Sequence, residues 1–245
     1  MESSTLTGKV ACVTGAAGGI GSAICASFRA AGATVVGTDR TEGPGIVGCE
    51  VTDESAVSSL IDDIVRTHGR LDIMAANAGV SGPVGPIIDI DRSDWQRTFD
   101  VNLTGTYLST KYAARAMAGS GGGAIVTTAS IMGLRPAALC GTYSATKAAI
   151  ISLTRSLGLE LRDANIRANA VLPGFVDTPL LRDRDRDLGT ELGIADLEGT
   201  VAQLQGRFGT PADVAALVLF LASDRASYLT GGAYTVDGGL SENLL

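Results

Sequence analysis

Apolar residues in this chain follow two different spacings. Some runs are short and continuous, as in Lys9-Val10-Ala11-Cys12-Val13 and Ala124-Ile125-Val126-Thr127-Thr128-Ala129. Runs of this kind read as strands buried on both faces. Between them the spacing widens to three or four residues. Ala56, Val57, Leu60, Ile61, Ile64 and Val65 make one such stripe, which predicts an amphipathic helix. Strands are expected at residues 9–13, 34–38, 46–51, 71–76, 124–129, 166–172 and 233–236. Helices are expected at 22–31, from Thr52 or Asp53 to Gly69, at 93–117 with Ser93 as cap, at 142–161, and at 212–222 behind Pro211. Residues 80–86 form a Gly- and Pro-rich loop, and 175–205 read as charged and irregular.

Regular strand–helix alternation predicts an α/β fold, a doubly wound parallel sheet with helices on both faces. With no internal repeat and no linker, residues 1–245 read as a single domain. Sheets of this type bind ligands at the carboxyl ends of their strands, near the point where strand order reverses. Gly15, Asp39, Asn77, Ser130 and Pro173-Gly174 each follow a predicted strand.

Composition narrows the classes of partner. Apolar residues make up 45% of the 245, enough for a buried core. The net charge of −7 argues against a nucleic-acid or anionic-membrane partner, either of which needs a basic face. No run reaches the length of a transmembrane helix, and residues 1–7 lack the regions of a signal peptide, so a cytoplasmic protein is expected. Cys12, Cys25, Cys49 and Cys140 show no metal-ligand spacing and read as buried reduced thiols. The single histidine, His68, falls at a helix end beside Gly69, a poor place for a hydrolase base.

Two stretches carry the candidate chemistry. Thr14-Gly15-Ala16-Ala17-Gly18-Gly19-Ile20-Gly21 joins a strand to a helix. Glycines there let backbone approach a pyrophosphate, and the helix start offers unpaired N–H groups to it. The spacing is TGxxxGxG rather than GxGxxG. Asp39, at the end of the second strand, is placed to accept from an adenosine ribose and to repel a 2′-phosphate. Arg40 beside it could instead pair with such a phosphate. The balance points to NAD. The second stretch holds Tyr143 and Lys147, four residues apart and so on one helix face. The lysine favours ionisation of the phenol, and Ser130, at the end of the fifth strand, can hold a substrate oxygen.

With these motifs in order, the sequence resembles the short-chain dehydrogenase/reductase family over nearly its whole length. The match comprises Thr14 to Gly21, Asn77-Ala78-Gly79, Asn102, Ser130, the YxxxK of Tyr143 to Lys147, Pro173-Gly174 through Val176 to Thr178, Thr230-Gly231, and Val236-Asp237-Gly238-Gly239. The resemblance implies a Rossmann-type sheet, a homotetramer, and a catalytic set of Asn102, Ser130, Tyr143 and Lys147. Tyr143 would be the general acid/base. Lys147 would lower its pKa and bind the nicotinamide ribose, and Asn102 would anchor a water leading to solvent. Gly15, Gly19, Ile20 and Gly21 would cradle the dinucleotide, with Asp39, Arg40, Asn77, Ala78 and Gly79 on its adenosine side. Val176 and Thr178 would contact the carboxamide beyond Pro173 and Gly174. Glu50-Val51 stands where the family has Asp-Val beside adenine.

The resemblance also implies a small-molecule alcohol or ketone as substrate. Its pocket would be walled by residues 81–86 and 131–139, Cys140, Phe175 and a lid at 179–205. Arg135 reads as an exposed loop arginine, with an anionic substrate as the alternative. The alternating charges of Arg182 to Asp187 read as a solvated surface. Two rival readings stand beside an NAD-dependent alcohol dehydrogenase. One is a 3-oxoacyl thioester reductase using NADPH. The other is a dinucleotide-binding scaffold without turnover.

Overall fold

The computed structural model describes residues 5–179, 181 and 194–242. Seven strands form one sheet: β1 (Val10–Thr14), β2 (Thr34–Asp39), β3 (Ile46–Gly48), β4 (Ile73–Ala76), β5 (Gly123–Thr128), β6 (Ile166–Pro173) and β7 (Ala233–Val236). Their order is β3-β2-β1-β4-β5-β6-β7. Every neighbouring pair is parallel. The order reverses between β1 and β4, which opens a crevice at their carboxyl ends.

The continuous apolar runs are explained by packing on both sides of the sheet. Ala11, Val13, Ile73 and Val126 face α1 (Gly19–Ala30), where Ile24 and Phe28 are fully buried. Cys12, Met74 and Ile125 point the other way. They meet Ile61 and Ile64 of α2 (Glu54–His68) and Met117. Alternate residues of each strand thus enter different cores. Full burial of a side chain such as Ile24 or Phe28 contributes about 1.5–3 kcal/mol.

Local signals set several boundaries. Asp53 caps α2 by accepting from Ser55 N at 2.9 Å and Ala56 N at 3.2 Å, and Gly69, with φ +76°, ends it. His68 is the exposed last residue of that helix. Four expectations need correction. The third strand stops at Gly48, short of Val51. Asp91, not Ser93, stands at the start of α3 (Arg92–Phe99). The single helix expected at 93–117 is interrupted by a π-helical turn, Asp100–Thr104, before α4 (Gly105–Ala118). The segment read as irregular contains α6 (Leu197–Gln205), which Asp196 caps at Gly199 N, 2.8 Å away. Between α4 and α6 lies α5 (Gly141–Glu160), and α7 (Pro211–Ala222) follows behind a Thr210–Asp213 capping box. Arg182 to Asp187, and with them much of the expected 179–205 lid, lie outside the described residues.

Candidate active site

The turn between β1 and α1 is built for close backbone approach. Gly15 has φ +69°, and a Cβ there would lie 2.9 Å from Ala78 Cα. A Cβ on Gly21 would overlap Gly15 O. Gly19 opens α1 without any side-chain cap at the helix start. Its own Cβ would stand 3.0 Å from Thr178 Cγ2 and 3.3 Å from Pro179 Cδ. The first-turn N–H groups of α1, with Ile20 among them, have no intrahelical acceptor. A bare helix start facing the loop after β6 fits a dinucleotide pyrophosphate.

Three strand ends are tied together beside this turn. Thr14 Oγ1 accepts from Asn77 N and Ala78 N, both at 3.0 Å. Asn77 Nδ2 donates to Thr14 O at 3.1 Å, and Asn77 Oδ1 accepts from Thr128 Oγ1 at 3.1 Å. The Asn77 side chain therefore joins β1, β4 and β5. Gly79 follows it toward Asn102 and Lys147, where a Cβ would lie 3.2 Å from Asn102 Oδ1 and 3.6 Å from Lys147 Nζ. Asp39 reaches across from β2. Its Oδ2 accepts from Ala17 N at 3.0 Å and its Oδ1 from Arg40 N at 2.8 Å. The carboxylate is thereby fixed at the lip of the glycine turn, while Arg40 is exposed. Glu50 is exposed too, and its Oε1 accepts from Thr52 N at 3.2 Å. Val51 is buried against the start of α4, where a Cβ on Gly105 would meet its side chain at 2.7 Å.

The residues expected to do acid–base chemistry converge beyond the end of β5. Lys147 Nζ donates to Thr128 O at 2.8 Å and sits 5.4 Å from the centre of the Tyr143 ring. Only 3% of Lys147 is exposed, and that burial pushes the ammonium from 10.5 down to about 8. Tyr143 is half-buried one turn earlier on α5. Ser130 stands two residues beyond β5, and its Oγ accepts from Met132 N at 3.2 Å. The short turn that it opens, Ile131–Gly133, lies on α5, where a Cβ on Gly133 would stand 2.8 Å from the Lys147 carbonyl carbon. Asn102 is fully buried in the π-helical turn. Its Oδ1 accepts from Val80 N at 2.7 Å, and its Nδ2 donates to Val80 O at 2.9 Å.

The loop after β6 closes the opposite wall. Gly174 follows Pro173, and Val176 bridges to Gly209. Thr178 is buried, and its Oγ1 accepts from Leu181 N at 3.3 Å. Cys140, directly before α5, is fully buried. Arg135 is exposed.

Comparison with known proteins gives the family. A family model described as enoyl-(acyl carrier protein) reductase covers residues 15–241. The cis-4-hydroxycyclohexanecarboxylate dehydrogenase of Sinomonas cyclohexanicum is 39% identical over 94% of this chain and 96% of its own. The (+)-borneol dehydrogenase 1 of Salvia officinalis is 40% identical over 98% and 96%. A solved short-chain type dehydrogenase/reductase from Mycobacterium ulcerans superposes with a TM-score of 0.90 at 31% identity, covering 98% of this chain and 92% of that one. The chain belongs to the short-chain dehydrogenase/reductase family. As a short-chain dehydrogenase/reductase it is an oxidoreductase of a family that uses NAD or NADP.

One residue that holds the loop after β6 carried no signal of its own in the sequence. Gln205, the last residue of α6, is 7% exposed. Its Oε1 accepts from Phe175 N at 2.9 Å, and its Nε2 donates to Phe175 O at 2.8 Å and Arg207 O at 2.9 Å. Gln205 thus holds the N–H and the carbonyl of Phe175, in the two peptide units that flank that residue. It lay in a stretch without apolar periodicity, so nothing marked it out.

Proposed function

We propose that this chain interconverts a secondary alcohol and its ketone, with NAD preferred. The observation that carries the reading is the buried Lys147 ammonium, held at Thr128 O and set against the Tyr143 ring. Bound at the glycine turn, the nicotinamide dinucleotide supplies the hydride acceptor or donor. Tyr143 Oη takes the hydroxyl proton in oxidation and returns it in reduction. Lys147 favours the phenolate by its charge. Ser130 Oγ–H orients the substrate oxygen and stabilises charge on it. Asn102 holds the Val80 backbone and the water route beyond Lys147. The cradle is Gly15, Gly19, Ile20, Gly21, Val176 and Thr178, with Asp39 on the adenosine ribose. The fixed Asp39 carboxylate supports NAD, since it repels a 2′-phosphate. Apolar Ile87, Ile88 and Leu134, all exposed, support a substrate with a hydrocarbon body. Exposed Tyr107 on α4 and Leu159 on α5 support a homotetramer through those helices. The four free buried thiols support a cytoplasmic setting.

The test is a panel of secondary alcohols with NAD and NADP side by side, followed at the reduced-nicotinamide band. Wild type should favour NAD, Asp39→Ala should lose that preference, and Tyr143→Phe should bind NAD without turnover. Full activity in Tyr143→Phe refutes the chemistry. Tight NAD binding with silence across the panel favours a scaffold. Similarity to a 3-oxoacyl-[acyl-carrier-protein] reductase of Thermotoga maritima, 35% identical over 96% of this chain and 98% of its own, favours one rival, reduction of the 3-oxo group of an acyl-carrier-protein thioester. A strong NADPH preference together with turnover of a 3-oxoacyl thioester would establish it instead.

A further inference from the structure

Thr146 lies between Tyr143 and Lys147 on α5 and is fully buried. Its hydroxyl donates to Tyr143 O at 2.7 Å, one turn back. With its proton committed there, Oγ1 accepts from Asn102 Nδ2 at 3.1 Å. The second Nδ2 proton goes to Val80 O, and Asn102 Oδ1 accepts from Val80 N. Every hydrogen of the Asn102 amide therefore has a partner, and the amide cannot turn without breaking three bonds. The chain of contacts runs from the Val80 peptide through Asn102 to the Tyr143 carbonyl. Thr146 is the point at which it enters the catalytic helix.

We propose that Thr146 is a positioning residue that locks α5 to the Asn102 turn, and so fixes Lys147 against Tyr143. This inference rests on the acid–base reading of Tyr143. Without the hydroxyl, one Asn102 N–H is buried with no acceptor. The amide then turns or draws in water, and the Val80 backbone and the π-helical turn come loose from α5. With α5 no longer locked, the Lys147 ammonium is not held against the phenol, and the phenolate becomes harder to form. Other charged groups near α5 do not substitute for it. Asp100 in the π-helical turn is bonded to Gln96, Arg92, Asp94 and Arg97 of α3 are exposed, and Arg167 of β6 donates to carbonyls at the end of α7.

Thr146→Val keeps the shape and removes the hydroxyl, Thr146→Ala removes it with less bulk, and Thr146→Ser keeps it. Ionisation of Tyr143 is read without dinucleotide, from the ultraviolet phenolate band of each protein minus that of its Tyr143→Phe counterpart. Thr146→Val should raise the midpoint by about one pH unit, a tenfold loss of phenolate at a given pH. With NAD and the best alcohol, kcat should fall about tenfold, its pH profile should move by the same amount, and KM for NAD should hold. Thr146→Ser should restore both, and Thr146→Ala should resemble Thr146→Val. Unshifted midpoints in the folded Val and Ala variants would overturn the proposal. So would a Ser variant that shifts as far as they do or, where the Val and Ala variants do not fold, an Asn102→Ala variant whose midpoint is unmoved. A midpoint that depends on Thr146 in a protein that turns over no alcohol would instead refute the proposed activity.

Discussion

Lys147 should be a residue that destabilises the fold it serves. Its ammonium is buried, its partner is a neutral carbonyl, and burial moves it from 10.5 to about 8. That difference corresponds to about 3 kcal/mol, at about 1.4 kcal/mol per pH unit. The sign follows from which state holds the proton. Below about pH 8 both folded and unfolded chains carry it, and the full penalty is present. Between about 8 and 10.5 the folded protein has released it while the unfolded chain still binds it, so stability from this group rises with pH. Lys147→Met removes the penalty and also the donor to Thr128 O, a loss of about 1–3 kcal/mol. At neutral pH the variant should therefore lie within about 2 kcal/mol of wild type, and on the proposed chemistry it should be catalytically dead. The assay is urea unfolding of both proteins at several pH values. The wild-type-minus-variant difference should grow by about 2.5 kcal/mol in favour of wild type from about pH 7 to about pH 10. Other titrating groups cancel in that difference. A difference flat to within about 0.5 kcal/mol would refute the assignment of a desolvated ammonium.

Three further outcomes follow from named contacts. Gly21→Ala places a methyl group against Gly15 O, so NAD affinity measured by calorimetry should fall at least tenfold and stability by about 1–3 kcal/mol. Gln205→Ala frees the Phe175 peptide, so KM for the dinucleotide should rise about tenfold with kcat changed far less, in steady-state kinetics. Asp72 is buried at the opposite end of the sheet, where it accepts from Val10 N at 2.8 Å and from Arg70 Nε. Asp72→Ala should cost about 3 kcal/mol in chemical denaturation and leave kcat intact.

Much of the architecture was legible because it depends on local rules. The alternation of continuous and helical apolar spacing gave every strand to within a few residues. The TGxxxGxG spacing spans one strand–helix turn and the Tyr143–Lys147 pair lies on one helix, so both are local enough to be read from the sequence. Other features depend on contacts between distant segments. The π-helical turn around Asn102 inserts one residue per turn into a helix, which apolar periodicity does not reveal. Ser93 looked like a cap because serine accepts well from a helix start, yet the chain enters the helix two residues earlier, at Asp91. Asn77 looked like a ligand residue and also spends both ends of its amide on strand ends, a use that only the assembled sheet makes visible. Gln205 acts on a peptide thirty residues away in sequence.

The tie between Thr14, Asn77 and Thr128 has a consequence for motion. It sits where the strand order reverses, the seam at which the two halves of such a sheet would otherwise be free to shear. Three side chains stitched across that seam make the floor of the site a rigid plate. Adjustment around a ligand then falls to the loop beyond β4, residues 81–86. The slowest amide exchange in the molecule belongs at the centre of the sheet, beneath the reacting atoms, and the fastest in the walls. A catalyst of this design keeps its proton relay still and lets its substrate range vary with the loops around it.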